Sequence, residues 1–245
     1  MADVGASEPH DRRSCANHRK GNPLSDAIGV FVRDDADVSP AAGLPVHVHH
    51  RSSVWQHDLM PRIFLVRHAD AAGHDADNPG LSAKGEVQAT QLANALERLD
   101  VRAVWHGPRL RAEQTARTIE GVVGCERSQT SLLDDRTPYP ADERWDEYPK
   151  ARWVWFNQVP AHERDPGGTA LSAAWATLSA SAHPGTLVAV THAFVVAWFV
   201  SRALEASQSS WTHLAVAHAA ITEIELRVDG HHIVHRFNDR AHLSS

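Results

Sequence analysis

Arg62-Ile63-Phe64-Leu65-Val66-Arg67-His68 gathers four apolar side chains and then stops on an arginine and a histidine. A short apolar run with polar ends is what a strand covered on both faces requires. The stretch TLVAVTH (186–192) repeats the arrangement: it reads as a buried strand that ends on His192 and runs straight into an apolar helix, Ala193–Leu204. Between the two, Ser82–Leu99 sets Val87, Leu92, Leu96 and Leu99 near helical spacing, with Ser82 as the N-cap. VRAVWH (101–106) is a further strand, and Leu110–Val123 is the helix that follows it. The chain closes on AITEIELRV, an Asp229-Gly230 turn and HHIVHRF, a strong hairpin signal. Strands alternating with helices over residues 60–245 predict one α/β domain. The expected architecture is a three-layer αβα sandwich around a mostly parallel sheet, with a C-terminal β-hairpin.

Composition bounds the rest. The 245 residues hold 24 Lys+Arg against 30 Asp+Glu, a net charge of −6 before histidine is counted. That balance opposes a nucleic-acid footprint. Two cysteines, Cys15 and Cys125, make no disulfide framework, and no CxxC pair suggests zinc. The longest apolar stretch, Leu187–Val200, is 14 residues and too short to cross a bilayer. Residues 1–59 carry neither a period of 2 nor one of 3.6, and methionine occurs only at Met1 and Met60. They read as a disordered leader, or as the product of a mis-assigned start with translation beginning at Met60. Within them AIGVFV (27–32) resembles a lone strand, and HVHH (47–50) suits adventitious metal binding better than a built site. The chain shows no secretory signal pattern, so the expected location is cytoplasmic. Histidine, at 18 residues, is the surplus that needs an account.

In open α/β sheets ligands bind beyond the carboxyl ends of the strands. Two such ends here carry a histidine, His68 and His192, the first preceded by Arg67. The strand 101–106 leads into HGPRLRAEQTA, which sets Arg111 on the first turn of a helix. Guanidinium forks match phosphate oxygens in pairs and stay charged at any working pH. The grouping is that of an anion pocket.

LVRHAD, LSAKGEVQA (81–89), RAEQTA (111–116) and VAVTHA (188–193) together resemble the histidine phosphatase superfamily, the phosphoglycerate mutase-like group. The resemblance covers nearly all of residues 60–245, in the family's order. It implies the phosphoglycerate mutase-like fold, with His68 as a nucleophile that forms phosphohistidine and with Arg67 and Arg111 as substrate-binding residues. His192 would join them around the phosphoryl group. It also implies an acid/base carboxylate between the second arginine and the second histidine. Within LLDDRTPYPADERWDEYPK (132–150) Glu147 fits best, then Glu143, then Asp134 or Asp135. Two departures stand out. Ala193 follows His192 where the family commonly has glycine, and His106-Gly107-Pro108 replaces a Ser-Pro or Ser-Ser pair, leaving His106 either at the pocket rim or simply ending a strand.

The activity so implied is metal-independent, cofactor-free hydrolysis of a phosphomonoester, a histidine acid-type phosphatase. Its partner would be a small phosphorylated substrate or a phosphoprotein. Only 80 residues lie between Arg111 and His192, short for a phosphoglycerate-type mutase and favouring hydrolysis. RHADA also resembles the small family members that act on phosphoproteins and phosphohistidine. A reading of another class is a non-catalytic phosphate-ligand binding protein on the same fold. Loops 72–81 and 134–170 are expected to set specificity, with Trp153 and Trp155 placed to floor an apolar pocket.

Overall fold

The computed structural model describes residues 60–73, 78–180 and 184–243; the readings for residues 1–59 lie outside them. Strand β1 (Arg62–Arg67) alternates its side chains between two layers. Ile63 and Leu65 enter one buried cluster, while Phe64 and Val66 enter the other. Helix α1 (Ala83–Leu96) begins where expected, because the Ser82 hydroxyl accepts the Gly85 N–H at 3.0 Å. Strand β2 (Val101–His106) and helix α2 (Leu110–Val123) keep the boundaries read from the sequence. Gly124, at φ 74°, ends α2 in the left-handed conformation that glycine adopts most readily. Val87 is not a core residue: at 58% exposure it lies on the outer face of α1.

After α2 come β3 (Arg127–Gln129), β4 (Thr137–Tyr139), α3 (Lys150–Gln158), β5 (Arg164–Pro166) and α4 (Thr169–Ala180). Strand β6 (Thr186–Thr191), helix α5 (Ala193–Ala203) and the hairpin β7 (Ile221–Glu225) and β8 (Ile233–Asp239) complete the domain. The main sheet has the order β3-β2-β6-β1-β7-β8. Strands β1, β2, β3 and β6 are parallel; β7 runs antiparallel to β1, and β8 to β7. Helices α1 and α2 cover one face, burying Leu92, Leu96 and Ile119 against Phe64, Val104 and Val190. Helices α4 and α5 cover the other, with Leu171, Leu178, Val196 and Phe199 over Leu65 and Ala189. The three layers are those the sequence predicts. Strands β4 and β5 form a small separate sheet that the sequence reading did not resolve. Among the described residues no helix is long and apolar enough to cross a membrane.

Register decides what meets at the sheet edge. Arg67 is level with Thr191 on β6, and His106 on β2 is level with Val190. The residues that follow β1 and β6 are His68 and His192, so two histidines more than 120 positions apart emerge side by side.

Candidate active site

His68 is pinned at the end of β1 by its own backbone, whose N–H donates to the Thr191 carbonyl at 2.9 Å. Its Nδ1 lies 2.8 Å from the Ala69 carbonyl oxygen. A carbonyl can only accept, so Nδ1 carries the proton and Nε2 keeps its lone pair. Arg111 confirms that tautomer by donating Nε–H to Nε2 at 3.2 Å. Burial, followed by the neighbouring His192, pushes the His68 pKa down to about 2. The ring is a neutral imidazole with its lone pair facing a guanidinium.

Arg67 and Arg111 reach the same cavity from different elements. Arg67 Nη1 donates to the Val216 carbonyl at 2.7 Å, while its Nε is buried without a partner. Arg111, on the first turn of α2, gives its Nη2 to Asp135 Oδ2 at 2.6 Å. The loop carrying Asp135 is pressed against the sheet edge by two contacts. Thr191 Oγ1 donates to the Leu133 carbonyl at 2.9 Å, and Gly107 packs so closely on that carbonyl that a β-carbon would overlap it. The glycine after His106 thus lets Asp135 come within reach of Arg111.

His192 is the N-cap residue of α5, 2% exposed, its ring centroid 5.1 Å from that of His68. Its Nδ1 is 3.3 Å from Asp135 Oδ2, yet neither ring nitrogen makes a hydrogen bond. Burial first, then Arg111, pulls its pKa well below the usual value. Buried polar atoms without partners are uncommon, and these converge with the Arg67 Nε on one cavity of about 400 Å³. Three guanidiniums, Arg67, Arg109 and Arg111, line it. The arrangement suits a multiply charged oxyanion such as a phosphate ester.

The cavity brings together four of the residues expected from the sequence, Arg67, His68, Arg111 and His192, and not the fifth. Glu147 does not line the cavity. Its carboxylate pairs with Arg144 Nε at 2.7 Å on the exposed side of a 3₁₀ segment, Asp142–Glu147. That segment turns Trp145 inward, edge-on to Tyr139 at 5.5 Å and Phe156 at 5.9 Å, which leaves the flanking Glu143 and Glu147 exposed. Asp134 sits 3.6 Å from Arg109 Nε, and Asp135 is inside. His106 is not at the rim: it is 1% exposed, with Nδ1 on the Gly107 carbonyl and Nε2 2.9 Å from Arg127.

Besides Arg109 and Phe194, three lining residues with titratable side chains were not singled out from the sequence. Asp70 belongs to the LVRHAD motif itself, and its Oδ2 accepts the Ser82 hydroxyl at 2.6 Å. His218, just before β7, has its ring centroid 5.4 Å from that of His68 with the planes tilted by 50°, and burial, with Arg67 next, lowers its pKa to about 4. It is brought in by the antiparallel pairing of β7 with β1, for which local sequence holds no signal. Glu163, in the turn Ala161–Glu163, completes the wall. Among the described residues no group of three or more His, Cys, Asp or Glu forms a metal cage.

Solved structures share this architecture. The α-ribazole phosphatase of Shigella flexneri superimposes with a TM-score of 0.58 at 20% identity, covering 74% of this chain and 97% of that one. A phosphoserine phosphatase of Entamoeba histolytica in complex with 3-phosphoglyceric acid gives 0.57 at 19%, over 76% and 100%. Mycobacterial glucosyl-3-phosphoglycerate phosphatase gives 0.57 at 17%, over 74% and 99%. These likenesses establish the fold. No curated protein matches the chain in sequence. The model of the histidine phosphatase superfamily (branch 1) matches residues 63–239, a span that holds both histidines and both arginines singled out above. The chain belongs to the histidine phosphatase superfamily, branch 1.

Proposed function

We propose that the protein hydrolyses a phosphomonoester through a phosphohistidine on His68 Nε2, without a metal. The observation that carries this reading is the fixed tautomer of His68: its proton is committed to the Ala69 carbonyl, which leaves Nε2 unprotonated, accepting from Arg111, on a residue that lines the cavity. A neutral, desolvated imidazole is a competent nucleophile that needs no base. In the first step Nε2 bonds to phosphorus as the bond from phosphorus to the ester oxygen breaks. Arg67 and Arg111 offset the charge spread over the equatorial oxygens, the role a divalent cation fills elsewhere. His192 offers one ring N–H to the same group.

The leaving oxygen needs a proton, and the attacking water must later lose one. Asp135 is committed to Arg111, and Asp70 to the Ser82 hydroxyl. Among the described residues Glu163 is the lining carboxylate that no arginine or lysine pairs; its one ion-pair-range neighbour is the adjacent His162, with Nε2 at 3.7 Å. It takes the acid role in the first step and, as a carboxylate, the base role in the second. Water then attacks phosphorus, the N–P bond breaks and Nε2 regains its lone pair. The phosphatases of the same fold are named for small molecules, α-ribazole, phosphoserine and glucosyl-3-phosphoglycerate, which supports a small substrate here.

The test is a rapid quench with a labelled phosphomonoester. A base-stable, acid-labile phosphoprotein should form, and His68→Ala should abolish it with a loss of about 10⁴-fold in kcat. Glu163→Gln should slow leaving-group departure about 100-fold. Undiminished hydrolysis in His68→Ala overturns the mechanism, and a chelator-sensitive rate overturns its independence of metal.

A further inference from the structure

Phe194 follows His192 by two residues and lines two cavities, not one. The first is the phosphoryl pocket. The second is a cleft of about 470 Å³ whose other walls include Trp155, Trp211, Leu214 and Arg152. Phe194 stands edge-on between the two tryptophans, at 5.4 Å from Trp155 and 5.3 Å from Trp211. Trp211 is buried, whereas Trp155 and Phe194 are only partly covered, so aromatic surface borders open space beside the reacting centre. At its edge stands Arg152, exposed on α3, with one Nη on the Thr212 carbonyl at 3.3 Å. Among the described residues no carboxylate lies within 4.0 Å of it, in contrast to Arg111 and Arg144.

We propose that this cleft receives the alcohol half of the substrate, and that the substrate is an aromatic phosphomonoester carrying a second anionic group. The proposal rests on the phosphatase reading and adds the substrate class to it. The phosphoryl pocket binds the phosphate; the shared Phe194 sets the cleft directly beside it. A planar ring entering there meets aromatic edges and faces, an arrangement that favours aromatic over alkyl groups. The guanidinium of Arg152 supplies the unmatched positive charge, and a carboxylate or second phosphate on the ring is its complement. The sequence alone hinted at half of this, in the pair Trp153 and Trp155. Only Trp155 reaches the cleft, since Trp153 turns away to pack edge-on against Trp145 at 5.5 Å.

The test uses the full chain with phenyl phosphate and 4-carboxyphenyl phosphate, whose leaving groups differ little in intrinsic reactivity. The wild type should prefer the carboxylated ester by about tenfold in kcat/KM, mostly through KM, as a charge-assisted contact implies. Arg152→Gln, an exposed helical substitution, should bring that ratio close to one, and Arg152→Lys should restore part of it. Binding is read separately with the product 4-hydroxybenzoate, which should quench tryptophan emission saturably in the wild type and about tenfold more weakly in Arg152→Gln. A ratio near one in the wild type, unchanged by Arg152→Gln and without saturable quenching, overturns the subsite while leaving the phosphatase intact. Saturable, Arg152-dependent quenching without hydrolysis of either ester keeps the subsite and overturns the phosphatase. Phosphopeptide turnover that is independent of Arg152, with no preference between the two aryl esters, overturns the small aromatic occupant.

Discussion

Strand β1 carries an arginine at each end, and the fold treats them in opposite ways. At the start, Arg62 gives Nη1 to Glu223 Oε1 at 2.7 Å, and Arg236 closes the other oxygen of that carboxylate at 2.8 Å. Two residues along on the same face, Glu225 is held by Arg227 at 2.9 Å and His235 at 3.0 Å. Every carboxylate oxygen in this hairpin cluster has its own donor. At the other end of β1, Arg67 keeps a buried Nε without a partner, beside a His192 whose two ring nitrogens are equally orphaned. Satisfied charge of the first kind ties an edge hairpin to the sheet. Unsatisfied polar groups of the second kind, gathered on one cavity, suit a site that a ligand completes, because leaving such groups unpaired costs about 1–3 kcal/mol each. Balance of polar partners, more than charge itself, separates framework from site.

The contrast can be broken most easily at the site end. Arg111→Ala should lower kcat/KM for a phosphomonoester by about 10²–10³-fold, since the guanidinium both contacts Nε2 and faces the transferring group. A loss below tenfold would mean that this cationic pocket does not serve phosphate. The next effect is on stability. His68 resists protonation down to about pH 2, whereas in the unfolded chain it protonates near 6.5. Its contribution is therefore full above pH 6.5 and declines as the pH falls, because the unfolded state takes up a proton that the folded state refuses. Between pH 6.5 and 5 this amounts to about 2 kcal/mol, and His192 and His218 act in the same direction. The thermal midpoint should accordingly drop from pH 7 to pH 5 in phosphate-free buffer; a flat profile would contradict neutral burial of these rings.

The hairpin end predicts smaller changes of a different kind. Glu225→Gln loosens the grip of Arg227 and His235, both partly exposed and able to turn to water. Stability should fall by about 1 kcal/mol, seen as a thermal midpoint lowered by roughly 2–4 °C. The kcat should be unchanged, and a matching fall in kcat would merge the two clusters that the geometry separates. Smallest of all is Glu147→Gln. With its carboxylate on Arg144 at the surface, the substitution should alter kcat by less than about twofold. A large loss would return the acid role to it from Glu163.

Legibility followed sequence distance. Ser82, Leu110–Val123 and the apolar strands announce themselves through capping and periodicity, which act within a few residues. The dipeptide Arg67-His68 and the helical Arg111 were legible because each sits at a strand end or helix start that local pattern already locates. The segment 132–150 was not, for its six acidic residues have no period. What sorts them is which aromatic neighbours turn inward, and Trp145 does so against Tyr139 and Phe156. Glu163 and His218 were equally invisible, one in a short turn and the other delivered by the return of β7.

The sequence by itself determined a three-layer α/β domain, the superfamily, and a cationic strand edge bearing two histidines. Short-range patterns suffice for these, because burial and hydrogen bonding fix a strand or helix from its own residues. Tertiary structure alone decided that His68 is a neutral imidazole with its proton on Nδ1, that Asp135 and Glu163 rather than Glu147 face the cavity, and that Phe194 lines both it and an aromatic cleft. Protonation, desolvation and cavity shape are sums over neighbours from β1, β6, α2, α5 and the loop before β7, and no single stretch of chain contains them.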